Sequence, residues 1–213
     1  MPAALSLVLA SASPARLATL TAAGVDPIVI VSTVDETAVV ERYGVSAAED
    51  IALVLAKAKA EDVAGIAPDA LVLGCDSVLE LDGEVHGKPA DAEQAALRWK
   101  RMRGRSGVLH TGHWVVDARD GDAGGGGGTL GAVASTTVRF ADLTDDEIAA
   151  YVATGEPLAV AGAFTLDGLG GAYVTGVEGD HHNVVGVSLP LLRDLLKDLG
   201  VPWHRLWRTA DNR

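Results

Sequence analysis

The sequence predicts an α/β or α+β fold built on a mixed, strongly twisted sheet. Three observations carry this. Short apolar runs alternate with helical patterns, so some strands are joined by crossovers. The Asp82-Gly83 pair between alternating residues is a type I′ hairpin signal, so other strands are antiparallel. Finally, 213 residues are enough for one large domain or two lobes sharing a cleft. Hydrophobic residues make up 48% but aromatics only 4%, so the core must be mostly Ala, Val and Leu.

The chain opens with Leu7-Val-Leu-Ala-Ser-Ala-Ser-Pro-Ala-Arg16, a buried strand, a small-residue turn and the start of a helix. Ser13 is placed to cap that helix, with Pro14 at the first helical position and Gly24 as its stop. Free amides at its N-terminus, with Arg16 beside them, suit an anion such as phosphate. Ser11 and Ser13 are turn and cap hydroxyls that can also bond a phosphate.

Pro27 to Thr33 is a β-branched run and reads as a second strand, followed by Asp35-Glu36-Thr37 in a loop. A helix is predicted from Ser46 or Ala47 to about Gly65. On it Lys57 and Lys59 stand about 200° apart, which turns Lys57 to solvent and Lys59 to another surface. Ala70 to Cys75 reads as a strand buried on both faces and ending in Asp76-Ser77. The hairpin after it returns to His86-Gly-Lys88-Pro89, which places Lys88 nearly opposite Asp76. Asp91 caps a helix that Gly104 ends.

Strands follow at Val108–Val116 and Gly131–Phe140. Residues 119–130 between them hold five consecutive glycines, Gly124–Gly128, and read as a flexible hairpin loop; no Lys-Ser/Thr follows to make it a phosphate loop. Thr144-Asp-Asp-Glu147 is a capping box for a helix ending at Gly155. Strands are predicted at Gly171–Val177 and Val184–Val187, around an Asp180 turn, then a helix from Leu189 to Leu199 capped by Ser188. Residues 201–213 form a tail, with Trp203 and Trp207 packed on the body or at a contact with another subunit.

The formal charge of −12 argues against nucleic acid, since no basic cluster exceeds Lys100, Arg101, Arg103 and Arg105. A small anionic substrate stays compatible with it, because a few cations can dominate one pocket. The single cysteine, Cys75, excludes an internal disulfide framework and fits a reducing compartment. Leu5 to Ala10 is too short for a signal-peptide core and no run reaches membrane-spanning length, so a cytoplasmic protein without a membrane partner is expected. Cys75 lies in an apolar run and reads as a buried structural residue. His181-His182 has no zinc signature around it and reads as part of a solvated turn.

Ionisable residues at element ends include Arg16, Glu36, Lys59, Asp76, Lys88 and Asp180. Carboxylates and cations converging in a cleft are what phosphoryl chemistry at a nucleotide needs. Asp76 stands out because it follows a buried strand and so is partly desolvated.

In these residues the chain resembles the Maf family, septum-formation-inhibitor-like nucleoside triphosphate pyrophosphatases, from Leu7 to Leu199. Leu9-Ala-Ser-Ala-Ser-Pro-Ala-Arg16 resembles the family's L-A-S-x-S-P-R-R, and Asp35-Glu36 its (D/E)-E pair. Leu55-Ala-Lys-Ala-Lys59-Ala resembles L-A-x-x-K-A, and Gly74-Cys-Asp76-Ser77 resembles G-(A/S)-D-(T/Q). Asp82-Gly-Glu and Gly87-Lys88-Pro89 continue in register, as do Thr111-Gly, Glu156-Pro, Ala161-Gly-Ala-Phe164 and Val185-Gly186 with Pro190. The resemblance implies the Maf fold, related to the inosine triphosphate pyrophosphatase group, as a single domain over 1–213 with a cleft between two lobes. It implies Mg2+- or Mn2+-dependent hydrolysis of (d)NTPs, modified or non-standard ones included, to the monophosphate and pyrophosphate. By the motifs Asp76 is the proton acceptor. Ser13, Arg16, Lys59 and Lys88 fall on phosphate-binding positions, with Ser11 beside them, and Glu36 with Asp76 on the metal positions. The family is often dimeric, which makes a homodimer one assembly to consider.

The chain departs from the family pattern at Ala15, where relatives carry Arg or Trp, and at Ser77 after the catalytic Asp. The segment Ala159-Val-Ala-Gly-Ala-Phe-Thr-Leu-Asp167 lacks the Lys and Gln of the dTTP/UTP branch, and the branch similar to 7-methyl-GTP hydrolases has Glu where Asp167 stands. Ala15, Ser77 and Asp167 are therefore where the choice of base is expected to be set. A non-catalytic nucleotide-binding regulator of cell division is the alternative reading, and a phosphomonoesterase a third. The retained Asp76, Lys59 and Lys88 speak against the regulator, since binding alone needs no carboxylate beside phosphates.

Overall fold

The structure, a computed structural model, describes residues 5–67 and 69–208. In chain order the elements are β1 (Leu7–Ala10), α1 (Pro14–Ala22), β2 (Ile28–Val29), α2 (Glu36–Tyr43), α3 (Ala48–Ala64), β3 (Leu71–Leu81) and β4 (Glu84–His86). Then come α4 (Ala92–Met102), β5 (Ser106–Asp117), β6 (Thr129–Phe140), α5 (Asp145–Ala153), β7 (Val174–Glu178), α6 (His181–Val185) and α7 (Leu189–Asp198). The predicted mixed α/β fold is what is observed: seven strands in one sheet, ordered β2-β1-β3-β5-β6-β7, with β4 paired to β3. β1 runs parallel to both of its neighbours, while β3, β5, β6 and β7 are antiparallel in turn.

The long strands carry the sheet. One face of β3 presents Leu71, Leu73 and Cys75 to a core completed by Leu20 of α1 and Leu192, Leu195 and Leu196 of α7. Farther along the same face, Leu79 and Leu81 join a second core with Trp99 of α4, Phe140 of β6 and Ile148 and Tyr151 of α5. Trp99 anchors that core: it meets Phe140, Tyr151 and Tyr173 edge to face and donates its ring N–H to the Ala163 carbonyl. On the opposite face α3 lies against the sheet. A Cβ added at Gly74 would sit 2.1 Å from the Ala56 carbonyl oxygen, and one at Gly112 2.1 Å from that of Ala52. Two glycines therefore let α3 approach the sheet far more closely than side chains would allow.

Several expectations are corrected. The second strand shrinks from Pro27–Thr33 to Ile28–Val29, because it is an edge strand with only the four-residue β1 to pair with. Asp35-Glu36-Thr37 is not loop but the start of α2, capped by Asp35 Oδ1 accepting from the Ala38 N–H at 3.1 Å. α2 buries no side chain, so it has no apolar periodicity to read. The strand expected to end in Asp76-Ser77 continues to Leu81, which puts Asp76 in its middle. The strand expected at Val184–Val187 is replaced by α6, nucleated when Asp180 Oδ1 accepts from the His182 N–H at 3.0 Å.

β5 and β6 pair as a hairpin, but Thr129 and Leu130 of the expected 119–130 loop belong to β6, and the connection is folded around a charge pair. Asp117 accepts from Arg119 Nε at 2.7 Å, Arg119 NH2 at 2.9 Å and the Gly126 N–H at 2.9 Å. The tail packs on the body through buried Leu206, and Trp207 pairs with Val25; residues 209–213 of the predicted tail lie outside the described residues.

Candidate active site

The site is created by a break in the sheet. β1 and β4 pair with the same edge of β3, but β1 stops opposite Gly74 and β4 reaches back only as far as Leu79. Between them, residues 75–78 of β3 have no strand on that edge among the described residues. The N-terminus of α1 opens at the end of β1 beside this gap, and the chain leaves β1 for β2 on one side of the sheet but leaves the adjacent β3 for β5 on the other. Such a switch point is where open α/β sheets place ligands.

Asp76 projects from the gap toward α3. Lys59 on α3 reaches it, with Nζ 2.5 Å from Asp76 Oδ1 and 2.7 Å from Glu36 Oε1. Lys59 and Asp76 are largely buried, whereas Glu36 is exposed at 57% of its side chain. Burial pushes the Asp76 carboxyl above the usual carboxylate range, against the opposing pull of Lys59 and Arg16. Burial alone would lower the Lys59 ammonium, but Asp76 and Glu36 outweigh it and hold it above its ordinary value. Each carboxylate gives one oxygen to Lys59, and no hydrogen bond among the described residues uses the other.

α3 also fixes the segment that carries Glu36. Asp62 Oδ2 accepts from Ser32 Oγ at 2.8 Å and from the Thr33 N–H at 2.9 Å. At the far end of α2, Lys57 Nζ lies 6.0 Å from the Tyr43 ring and 5.1 Å from that of Trp114. Lys57 and Lys59 do face different ways, but Lys57 stands against aromatic rings rather than simply in solvent.

Arg16 is a buried knot. Its Nε donates to the Gly186 carbonyl at 2.8 Å, NH1 to the Cys75 carbonyl at 2.8 Å and to Ser11 Oγ at 3.1 Å, and NH2 to Ser77 Oγ at 3.0 Å. One guanidinium thus ties the end of β1, the gap in β3 and the turn after α6. The expected free cation beside the α1 amides is a cation with most of its donors already engaged. Ser77 lies 2.9 Å from Thr111 Oγ1, and Thr111 Oγ1 donates to the Asn183 carbonyl at 3.1 Å. Thr111 has one proton and spends it on Asn183, so Ser77 is the donor to Thr111. The chain of bonds runs in one direction from Arg16 to Asn183.

Ser13 caps α1 as expected, accepting from the Arg16 N–H at 3.4 Å, and Ser11 accepts from the Ser13 N–H at 3.2 Å. Ala15 is half-buried in the first turn. The placement of Lys88 opposite Asp76 is corrected. The ladder ends at Leu79–His86, after which the Gly87 carbonyl is drawn away by Arg98 NH1 at 2.6 Å and the Gly162 N–H at 3.2 Å. Lys88 is exposed, with no ion pair among the described residues; Lys59 is the cation on Asp76. Asp167 is exposed in a loop held by Glu156, which accepts from Thr165 Oγ1 at 2.5 Å, Tyr151 Oη at 2.9 Å, the Leu169 N–H at 3.0 Å and the Gly170 N–H at 2.9 Å.

Cys75 is buried, and burial pushes its thiol up to about 12, so it is structural as expected. Two polar anchors leave no mark in the sequence: Asn183 and His113. Asn183 Nδ2 donates to the Leu109 and Ala134 carbonyls at 3.2 and 3.0 Å and to Thr136 Oγ1 at 3.0 Å. His113 Nε2 accepts from the Ser188 N–H at 2.8 Å, which places its proton on Nδ1, donated to the Thr111 carbonyl at 3.0 Å. Burial lowers this imidazole to about 4, so it is neutral. The capping signals around these anchors are local, but nothing in a linear pattern marks a side chain that bonds partners 47 to 75 residues away.

Residues 6–199 match the family model described as Maf-like protein. The chain belongs to the Maf family. It is 56% identical over 209 residues to a nucleoside triphosphate pyrophosphatase of Streptomyces coelicolor, covering 97% of this chain and 96% of that one. A protein of the same name from Salinispora tropica is 57% identical over 208 residues, covering 95% of this chain and 88% of the relative. One from Streptomyces avermitilis is 55% identical over 204 residues, with 94% of each chain covered. In this Maf chain Glu36 of α2, Lys59 of α3 and Asp76 of β3 meet at the gap and Arg16 of α1 ties its rim, while Lys88 and Asp167 are exposed.

Proposed function

We propose that the protein is a nucleoside triphosphate pyrophosphatase, a hydrolase acting on the α–β acid anhydride. The observation that carries this is the Lys59 ammonium held between buried Asp76 and exposed Glu36 in the gap of β3. The names of the relatives point the same way. A protein that merely bound nucleotides would gain nothing from a buried carboxylate facing polyanionic phosphate.

In this reading water adds to the α-phosphorus as the bond to the β-phosphate oxygen breaks, and pyrophosphate leaves. Asp76 accepts the proton from the water. Its burial raises its basicity above that of a surface aspartate, which suits a general base. Lys59 keeps Asp76 ionised and presents positive charge to the phosphates. The α1 amides capped by Ser13, with Ser11 beside them, receive the phosphate tail, and Lys88 closes on it from the exposed turn after β4. Arg16 chiefly positions this machinery by tying the gap together.

Glu36 and Asp76 would hold Mg2+ or Mn2+. The donor set fits, because two carboxylates offer hard oxygens of which Lys59 uses only one each. When bound, the dication neutralises charge on the phosphates. We further infer a cytoplasmic protein acting on free nucleotides, with a homodimer as a candidate assembly and base choice set at Ala15, Ser77 and Asp167. Among the described residues no helix is long and apolar enough to cross a membrane.

A panel of standard and modified (d)NTPs, assayed with Mg2+ and with Mn2+, tests the reading. Equimolar nucleoside monophosphate and pyrophosphate are expected from at least one triphosphate. No turnover of any of them, or direct release of orthophosphate, would overturn it.

A further inference from the structure

The chemistry above lies on the α3 face of β3. On the opposite face, α6 places three other ligand-bearing residues together. We propose that Asp180, His181 and His182 bind a borderline transition-metal dication of the Zn2+ class, at a site separate from the oxygen-only pair Glu36 and Asp76.

One ligand atom from each of these residues lies within 4.8 Å of those of the other two. The two imidazoles, expected from sequence to be part of a solvated turn, stack with centroids 3.8 Å apart and planes 37° from parallel. The ligand-atom spacing places a nitrogen of each ring in one region. Asp180 divides its carboxylate. Oδ1 accepts from the His182 N–H at 3.0 Å and lies 3.2 Å from His182 Nδ1, whereas Oδ2 is buried and makes no close hydrogen bond among the described residues, with the Ser188 hydroxyl also near this carboxylate. A cation would complete the partners of this buried oxygen.

The support beneath the three residues is rigid. The Asp180 carbonyl accepts from Thr136 Oγ1 at 2.9 Å, and Asn183, the next residue along, is pinned to β5 and β6 by three hydrogen bonds. A site held this way loses little entropy on binding. His181 is exposed, so an ion has a path in. Two imidazoles and one carboxylate match Zn2+, Co2+ or Ni2+ better than Mg2+, and three protein ligands leave a position open for water or a phosphate oxygen.

The test uses metal-free, full-length protein without a histidine tag, titrated with Co2+ in excess Mg2+ and followed by visible d–d absorption and equilibrium dialysis. One Co2+ per chain is expected to bind despite the Mg2+, and Asp76→Asn is expected to bind it equally well. His181→Gln and His182→Gln should each weaken binding by more than the roughly 10–100-fold that loss of an outer-shell partner costs. His181 is exposed, so His181→Gln decides the question if the other variant folds poorly. No Co2+ binding to the wild type in excess Mg2+, affinity unchanged in His181→Gln, or loss of the ion in Asp76→Asn would each overturn the proposal. None of these outcomes depends on whether the chain hydrolyses nucleotides.

Discussion

Lys59 Nζ stands 2.5 Å from Asp76 Oδ1, the one ion pair that this carboxylate makes among the described residues. The pair exists because α3 lies unusually close to the sheet, over Gly74 and Gly112. It joins a helix to the middle of a strand at the place where that strand lacks a neighbour on one edge.

This pairing sets a pH dependence. Burial raises the pKa of Asp76 and Lys59 lowers it, with burial prevailing. A base must be ionised, so kcat/KM should rise with pH through a value above the ordinary aspartate pKa of about 4. Removing the cation with Lys59→Met lifts the carboxyl further. The acid limb of the pH profile should move to higher pH by about one unit or more, along with a loss of rate. An unmoved acid limb would show that Lys59 does not act on Asp76.

Arg16→Lys separates a positioning residue from a phosphate ligand. Lysine keeps the charge but cannot reach four acceptors spread over the Gly186, Cys75, Ser11 and Ser77 positions. Losing one or two charged hydrogen bonds should cost about 3 kcal/mol of stability, read by denaturant unfolding. A variant as stable as the wild type, with only KM raised, would mean that Arg16 serves substrate rather than the fold.

His113 predicts a stability change with acid. Its folded pKa of about 4 lies below the unfolded value of about 6.5, so the folded state favours the neutral ring. The contribution is full above pH 6.5 and is lost as pH falls toward 4, where the unfolded chain binds the extra proton. Over that window the wild type should lose about 3 kcal/mol more than His113→Gln. Parallel curves would show that the ring titrates normally.

Asp167 bears on base choice. Its carboxylate can accept from the N1–H and exocyclic amine of guanine, while a glutamine can both donate and accept. Asp167→Gln should move the ratio of kcat/KM values toward pyrimidine triphosphates by about 10–100-fold, the worth of one charged hydrogen bond. An unchanged ratio would place base recognition elsewhere.

Much of the fold is legible in the sequence, because caps and apolar strands are local signals. Ser13-Pro14, Asp91, the Thr144–Glu147 box and the Asp82-Gly83 turn all lie where expected, and Lys59 faces away from Lys57 as helical geometry requires. The motif positions Glu36, Lys59 and Asp76 do converge. What the sequence hides is non-local. Extending the hairpin puts Lys88 on Asp76, but Arg98 and Gly162 pull that segment aside. α2 buries nothing and so leaves no periodic signal, and Arg16 looks free in the sequence because its acceptors come from distant segments.

The central claim, that Asp76 is the base of a triphosphate-cleaving site, is tested most directly by Asp76→Asn. With the best substrate from the nucleotide panel, pyrophosphate release should fall by roughly 10²–10⁴-fold, while circular dichroism shows the fold retained. Turnover equal to the wild type would contradict the account.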